Sequence, residues 1–147
     1  MKKHMSLVAL FAIVLAFAGT ACQRQVKPGA SGEGSAGANQ LQRIHFDFDQ
    51  SDIRPDAEPL LQSNASWIKA NSGARVVVEG HCDERGTNEY NMALGDRRAR
   101  SARDYLANLG VDPSVLSVVS YGEERPLETG HDEAAWALNR RAEFVGQ

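Results

Sequence analysis

Eighteen residues near the start of this chain set the limit on what it can fold into. Residues 23–40 read QRQVKPGASGEGSAGANQ. Four are glycine, one is valine and none is aromatic. Such a stretch buries too little apolar surface to offset the entropy of ordering it. It predicts a flexible tether, spanning roughly 20–25 Å on average and about 60 Å at full stretch. Folding then falls to residues 41–147, enough for one ordinary domain with its own core.

Ahead of the tether stand Lys2, Lys3 and His4, a twelve-residue apolar run from Leu7 to Ala18, and Gly19-Thr20-Ala21-Cys22. Basic start, apolar run and small residues are the order of an export signal. The run is too short for a spanning helix, which needs about 20 apolar residues. An ordinary secretory signal with a chance cysteine fits the same pattern. The order also resembles the bacterial lipoprotein signal, which implies diacylglycerol on the Cys22 thiol and a further acyl chain on the new amino terminus. Each buried methylene would add about 0.8 kcal/mol of anchoring. Gly19 departs from that signal, where leucine is usual. The expected layout is a signal peptide over 1–21, a lipidated start and tether over 22–40, and a domain over 41–147. Beyond the covalent lipid on Cys22, no cofactor is expected.

Without residues 1–21, 14 Lys and Arg face 19 Asp and Glu, a net charge of −5. That argues against nucleic acid, which requires a basic footprint. The chain has two cysteines. Acylation of Cys22 would leave Cys82 as an odd thiol in an oxidising compartment. Cys82 reads as a small apolar residue at a strand end, and the core must hold without a disulfide.

Ile44, Phe46 and Phe48 alternate with His45, Asp47 and Asp49, predicting a half-buried strand. Pro55 and Pro59 sit before or in the first turn of a helix that carries Leu60, Leu61, Ala65, Trp67 and Ile68 and ends near Asn71. Residues 74–80 predict a second strand, and Val76-Val77-Val78 suggests that it is central and covered on both faces. A polar loop over 81–88 leads to a long helix from Glu89 to Leu109, closed by Gly110. Asp112 caps a helical turn at Pro113-Ser114. A third strand spans 115–121, Asp132 caps a short helix through Asn139, and a last strand spans 141–145. This order predicts a compact two-layer α/β or α+β domain.

The long helix separates its own arginines. At 100° per residue, Leu94, Ala102, Tyr105, Leu106 and Leu109 share an arc of about 160°, with Arg98 and Asn91 in its middle. Arg97, Arg100 and Arg103 fall outside it, on a solvated face. An arginine in an apolar stripe needs a partner, in the protein or on a ligand. Gly95 costs about 1 kcal/mol in mid-helix relative to alanine, so something is expected to approach the backbone there. Asp83 sits at the end of the second strand, and Asp49 reaches a similar point if the first strand runs parallel to it. Loops at such strand ends are common binding places. Buried acid and base there suit a zwitterionic ligand. An internal Asp83–Arg98 ion pair that merely stabilises the loop is the competing reading.

His81, Cys82, Asp83 and Glu84 run consecutively, but successive side chains diverge and make a poor metal site. Even with His45 and His131 added, no ligand spacing emerges. Cys82 as a nucleophile lacks a positioned base, because His81 is its chain neighbour.

FDFDQSDI (46–53), VEGHCDERGTNEYNMALGDRRA (78–99), SYGEERP (120–126) and GHDEAAWALNRRAEF (130–144) resemble the OmpA C-terminal-like domain family, and within it the branch of peptidoglycan-associated lipoproteins. The resemblance implies a two-layer sandwich of a four-stranded mixed sheet with its main helices on one face. It implies a non-catalytic domain that binds the peptidoglycan stem peptide at meso-diaminopimelate. Asp83 would take the ammonium and Arg98 a carboxylate, with Phe48, Asp49, Ser51 and Leu94 lining the pocket and Asn91 joining them from the same helical face. The family works with periplasmic Tol proteins at the outer membrane, constricting it at division, and Gln23 after the anchor is consistent with that membrane. Cys82 stands where the family usually has Thr or Ala. The alternatives are a peptidoglycan hydrolase using Asp83 or Glu84 with His81, and an adaptor for Tol proteins only.

Overall fold

The computed structural model describes residues 41–147. The expected signal peptide, Cys22 and tether lie outside the described residues. Eight elements follow one another: β1 (Ile44–His45), α1 (Glu58–Ala70), β2 (Val76–His81), α2 (Asn88–Asn108), a 3-10 turn (Pro113–Val115), β3 (Leu116–Gly122), α3 (Glu133–Asn139) and β4 (Arg141–Gly146). The strands form one mixed sheet in the order β1-β4-β2-β3. Strand β2 runs parallel to β3, pairing Val76 with Leu116, and antiparallel to β4, pairing Val78 with Phe144. Strand β1 is antiparallel to β4. Consequently β1 and β2 point the same way, and the chain after both leaves the sheet at one end.

One face of the sheet is apolar. Ile44, Val76, Val78, Ala142 and Phe144 bury against Leu61, Ala65 and Ile68 of α1 and Ala99, Ala102 and Leu106 of α2. The other face is open and mixed. Val77 and Glu79 are only half-buried, Arg141 pairs with Glu143 at 2.6 Å, and the Arg125 guanidinium lies 3.7 Å from the Tyr121 ring centre. Among the described residues, strand β2 is therefore central by position but covered on one face, not on both as the three valines suggest. Three adjacent valines reflect strand propensity as much as burial.

The first strand is also shorter than its alternation predicts. The Phe46 amide still donates to the Arg140 carbonyl at 2.9 Å. The chain then turns, with the Gln50 amide on the Asp47 carbonyl and Asp49 in the left-handed region at φ 57°. Aspartate is among the few residues that tolerate that region. Phe48 ends up 56% exposed, while Ile44 and Phe46 are buried.

Helix α2 has defined ends. The Thr87 hydroxyl accepts from the Tyr90 amide at its start. At its finish Gly110 (φ 87°) donates to Ala107 and Val111 donates to Leu106, the two bonds of a Schellman motif. Asn64, buried in α1, exchanges two hydrogen bonds with the Gln42 backbone and fixes the chain entering the domain. Among the described residues no helix is long and apolar enough to cross a membrane.

Candidate functional site

The sheet end to which β1 and β2 point opens into a cavity of about 210 Å³. Phe48 and Asp49 line it from the turn after β1, Asp83 from the loop after β2, and Asn91, Leu94 and Arg98 from one face of α2. These six residues come together from three segments. Ser51 lies two residues beyond Asp49, is half-buried, and is not among the lining residues. Arg85 and Tyr90 also line the cavity and were not singled out in the sequence.

Arg98 and Asp83 do not pair, so the internal ion pair is not what buries them. Arg98 is fully buried, its guanidinium lies 5.2 Å from the centre of the Phe46 ring, and its hydrogen bonds go to backbone. Its Nε donates to the Gln50 carbonyl at 2.8 Å, and its two terminal nitrogens donate to the His81 carbonyl at 2.8 Å and the Asp47 carbonyl at 3.1 Å. It therefore ties the turn after β1 to the end of β2. Burial draws its pKa below the ordinary arginine value. Five donors on a guanidinium leave two for another acceptor.

Asp83 is fully partnered by other cations. One carboxylate oxygen accepts from the Arg85 backbone amide and from Arg85 Nε, each at 3.1 Å. The other accepts from an Arg85 terminal nitrogen at 2.7 Å and from Arg140 at 3.1 Å. Burial pushes this carboxyl up, and the hydrogen bonds from Arg85 and Arg140 more than reverse that, holding it below the usual carboxylate range. Arg140 is itself buried, bonded to Glu133 at 2.5 Å and to the Phe46 carbonyl at 3.3 Å. Sequence reasoning missed it. It stands between a short helix and a strand, where no periodicity marks a residue as inward-facing. The one available clue was the need of a buried Asp83 for a counter-ion.

Arg85 is held between two rings. Its guanidinium carbon lies 4.0 Å from the centre of Phe48 and 4.2 Å from that of Trp136. Trp136 in turn donates to Glu84, which also meets His131 at 2.8 Å. On the opposite wall Tyr90 donates its hydroxyl to Asp49. Asn91 donates to the Asp83 and Arg85 carbonyls and to Glu123, fixing the loop from below.

The four consecutive residues 81–84 make different contacts. His81 packs against Tyr121, with ring centres 5.5 Å apart, and Cys82 donates its thiol to the Asn91 carbonyl at 3.3 Å. Burial pushes the Cys82 pKa up to about 11. Among the described residues no group of three His, Cys, Asp or Glu side chains could hold a metal ion.

Comparison with known proteins identifies the class. The OmpA family model matches residues 45–140. A peptidoglycan-associated lipoprotein of Pseudomonas aeruginosa is 53% identical over 109 residues, covering 74% of this chain and 64% of that protein. The chain thus spans slightly under two thirds of that relative. One from Agrobacterium fabrum is 41% identical over 152 residues, covering 94% of this chain and 85% of that protein. The crystal structure of the peptidoglycan-associated lipoprotein from Burkholderia pseudomallei superposes with a TM-score of 0.70 at 44% identity, over 71% of this chain and 89% of that one. The C-terminal domain of Helicobacter pylori MotB shares the fold, with a TM-score of 0.68 at 22% identity, over 73% of this chain and 84% of that one. Fold and comparisons define a domain of the OmpA class, a mixed four-stranded sheet with α1 and α2 packed on its apolar face. The chain belongs to the OmpA family, and its similarity is to the peptidoglycan-associated lipoproteins within it.

Proposed function

We propose that this domain binds the peptidoglycan stem peptide non-covalently at meso-diaminopimelate. Asp83 faces the ligand ammonium and Arg98 a ligand carboxylate. The observation that carries this reading is that the two residues line one cavity, both buried, without pairing with each other. Charges of opposite sign kept apart in one pocket suit a zwitterion. Phe48 and Leu94 supply apolar walls.

With a lipid on Cys22 and the tether over 23–40, the domain connects the outer membrane to the wall from the periplasmic side. Its expected protein partners are the periplasmic Tol proteins, including the propeller-bearing one, in keeping envelope integrity and drawing the outer membrane inward at division. The relatives' shared name and the Cys22 motif support the lipid and the wall contact, and the family resemblance is what suggests the Tol partners.

Sedimentation with purified peptidoglycan tests the site. Asp83→Asn and Arg98→Met, each checked for folding by circular dichroism, are expected to stay in the supernatant while the parent pellets. Folded variants that pellet like the parent would refute the assignment. Mass spectrometry of the mature amino terminus tests the lipid on Cys22.

A further inference from the structure

The four hydrogen bonds on Asp83 leave its carboxylate no open acceptor position, since an ionised carboxylate offers about four lone-pair sites. A ligand ammonium can bond there only by displacing a donor already in place. The two arginines differ in how firmly they are held. Arg140 is 7% exposed at its side chain and anchored on two further acceptors, Glu133 and the Phe46 carbonyl. Arg85 is 30% exposed, its Nε and one terminal nitrogen spend their hydrogen bonds on Asp83, and its other carboxylate contact is a 3.6 Å approach to Glu133. Its stacking rings stand at the rim, with Phe48 56% exposed. Asp83 is only 4% exposed, so the acid assigned to the ligand is closed off while Arg85 is in place.

We infer that the Arg85 side chain is an internal stand-in for the ligand cation, occupying Asp83 in the empty pocket and leaving it when an ammonium-bearing ligand enters, whereas Arg140 stays as the fixed counter-ion. This rests on the reading that the pocket takes a stem peptide through Asp83. Binding becomes an exchange of one cation for another on the same carboxylate. The charge around Asp83 is conserved, and a ligand without a cationic group gains nothing by displacing Arg85. Arg85 thereby sets both affinity and selectivity, at the cost of weaker binding than an empty Asp83 would give. The Arg85 amide bond to Asp83 is independent of its side chain and keeps the carboxylate oriented throughout.

The test compares parent and Arg85→Gln in sedimentation with diaminopimelate-containing sacculi and with the same sacculi after amine acetylation. Circular dichroism confirms that the variant folds. Removing a competing charge-assisted pair is expected to tighten binding to native sacculi about tenfold. Acetylated sacculi are expected to bind neither protein. A parent that binds native sacculi and a variant that binds them equally or more weakly would overturn the inference and make Arg85 a ligand contact or a bystander. Equal gains on native and acetylated sacculi would overturn it too. If neither protein binds native sacculi, the stem-peptide reading fails, and the inference with it.

Discussion

Gly80 of β2 and Gly95 of α2 face each other with no room for a side chain between them. A Cβ on Gly80 would stand 1.9 Å from the Gly95 carbonyl oxygen, and one on Gly95 would stand 2.3 Å from the Ser120 hydroxyl and 2.9 Å from the Gly80 carbonyl. The mid-helix glycine is thus explained by the sheet, through the Ser120 hydroxyl and the Gly80 carbonyl, not by a ligand. Contact at this distance sets the depth at which α2 lies on the sheet, and so the position of Arg98 one turn further on. Gly80→Ala meets backbone that cannot move aside and is expected to cost about 3 kcal/mol or more. Gly95→Ala meets first the Ser120 hydroxyl, a side chain that can shift by giving up its bonds to the Met92 carbonyl and the Gly122 amide, and regains about 1 kcal/mol of helix propensity, so its net cost should be smaller. Urea unfolding of both variants checks the order.

Arg140 and Arg85 both pair with Asp83, yet their removal should have opposite consequences. Arg140→Met leaves Glu133 without its buried partner and takes the fixed cation from a carboxylate that is itself buried. Breaking a buried pair in this way costs about 3–5 kcal/mol. Arg85→Gln removes a partly exposed partner while Arg140 and the Arg85 amide remain on Asp83, and should cost about 1–2 kcal/mol, in line with the tenfold effect on binding. Thermal unfolding monitored by circular dichroism separates the two. Comparable losses would mean that Arg85 is structural.

Much of this arrangement was legible in the sequence. The helical stripe isolates Arg98 from Arg97 and Arg100, which are exposed, and from Arg103, which is partly so. Gly110, Asp112 and Asp132 mark element ends through local chemistry that a single chain displays, whereas the Thr87 cap escapes that reading and the helix begins at Asn88, one residue before the expected Glu89. What stayed hidden depends on contacts between distant segments. Arg140 meets Asp83 across 57 positions, and Arg98 satisfies itself on carbonyls of Asp47 and Gln50, which periodicity does not reveal. The truncation of β1 has the same origin, since the turn that ends it is tied down by Arg98. The sandwich of Arg85 between Phe48 and Trp136 joins three segments and has no local signature.

Cys82 is 3% exposed, bonded to a carbonyl, and raised by burial to about 11. The thiolate is the reactive form. Raised from the ordinary thiol value of about 9 to about 11, the Cys82 pKa leaves a thiolate fraction about a hundredfold smaller at pH 8. Alkylation of Cys82 in the native protein should therefore be at least about a hundredfold slower than in denaturant. Peptide mass spectrometry after timed iodoacetamide treatment reads this at Cys82 alone. Rapid native labelling would show that the loop opens readily.

His81 makes the domain sensitive to acid. Its side chain is 2% exposed, and among the described residues neither ring nitrogen has a hydrogen-bond partner, the Glu79 carboxylate standing 3.8 Å from Nε2. Burial lowers its pKa from 6.5 to about 4, the nearby Arg141 adds to the effect, and Glu143 opposes it. Below pH 6.5 the unfolded chain takes up a proton that the folded chain refuses, so stability falls as pH drops from about 6.5 to about 4, by up to about 1.4 kcal/mol per unit. His45 is lowered in the same direction, again chiefly by burial, and adds to this slope. Asp83 acts lower still. Its folded pKa is depressed, so its contribution is present above the ordinary carboxylate value and is lost as pH falls through the folded one. His81→Phe keeps a ring against Tyr121 and removes the titration. The variant should match or exceed the parent at pH 7 and lose less stability between pH 6.5 and 4, leaving the slope that His45 supplies. Urea midpoints at half-unit steps of pH measure both curves, and parallel curves would show that His81 is free to protonate in the folded domain.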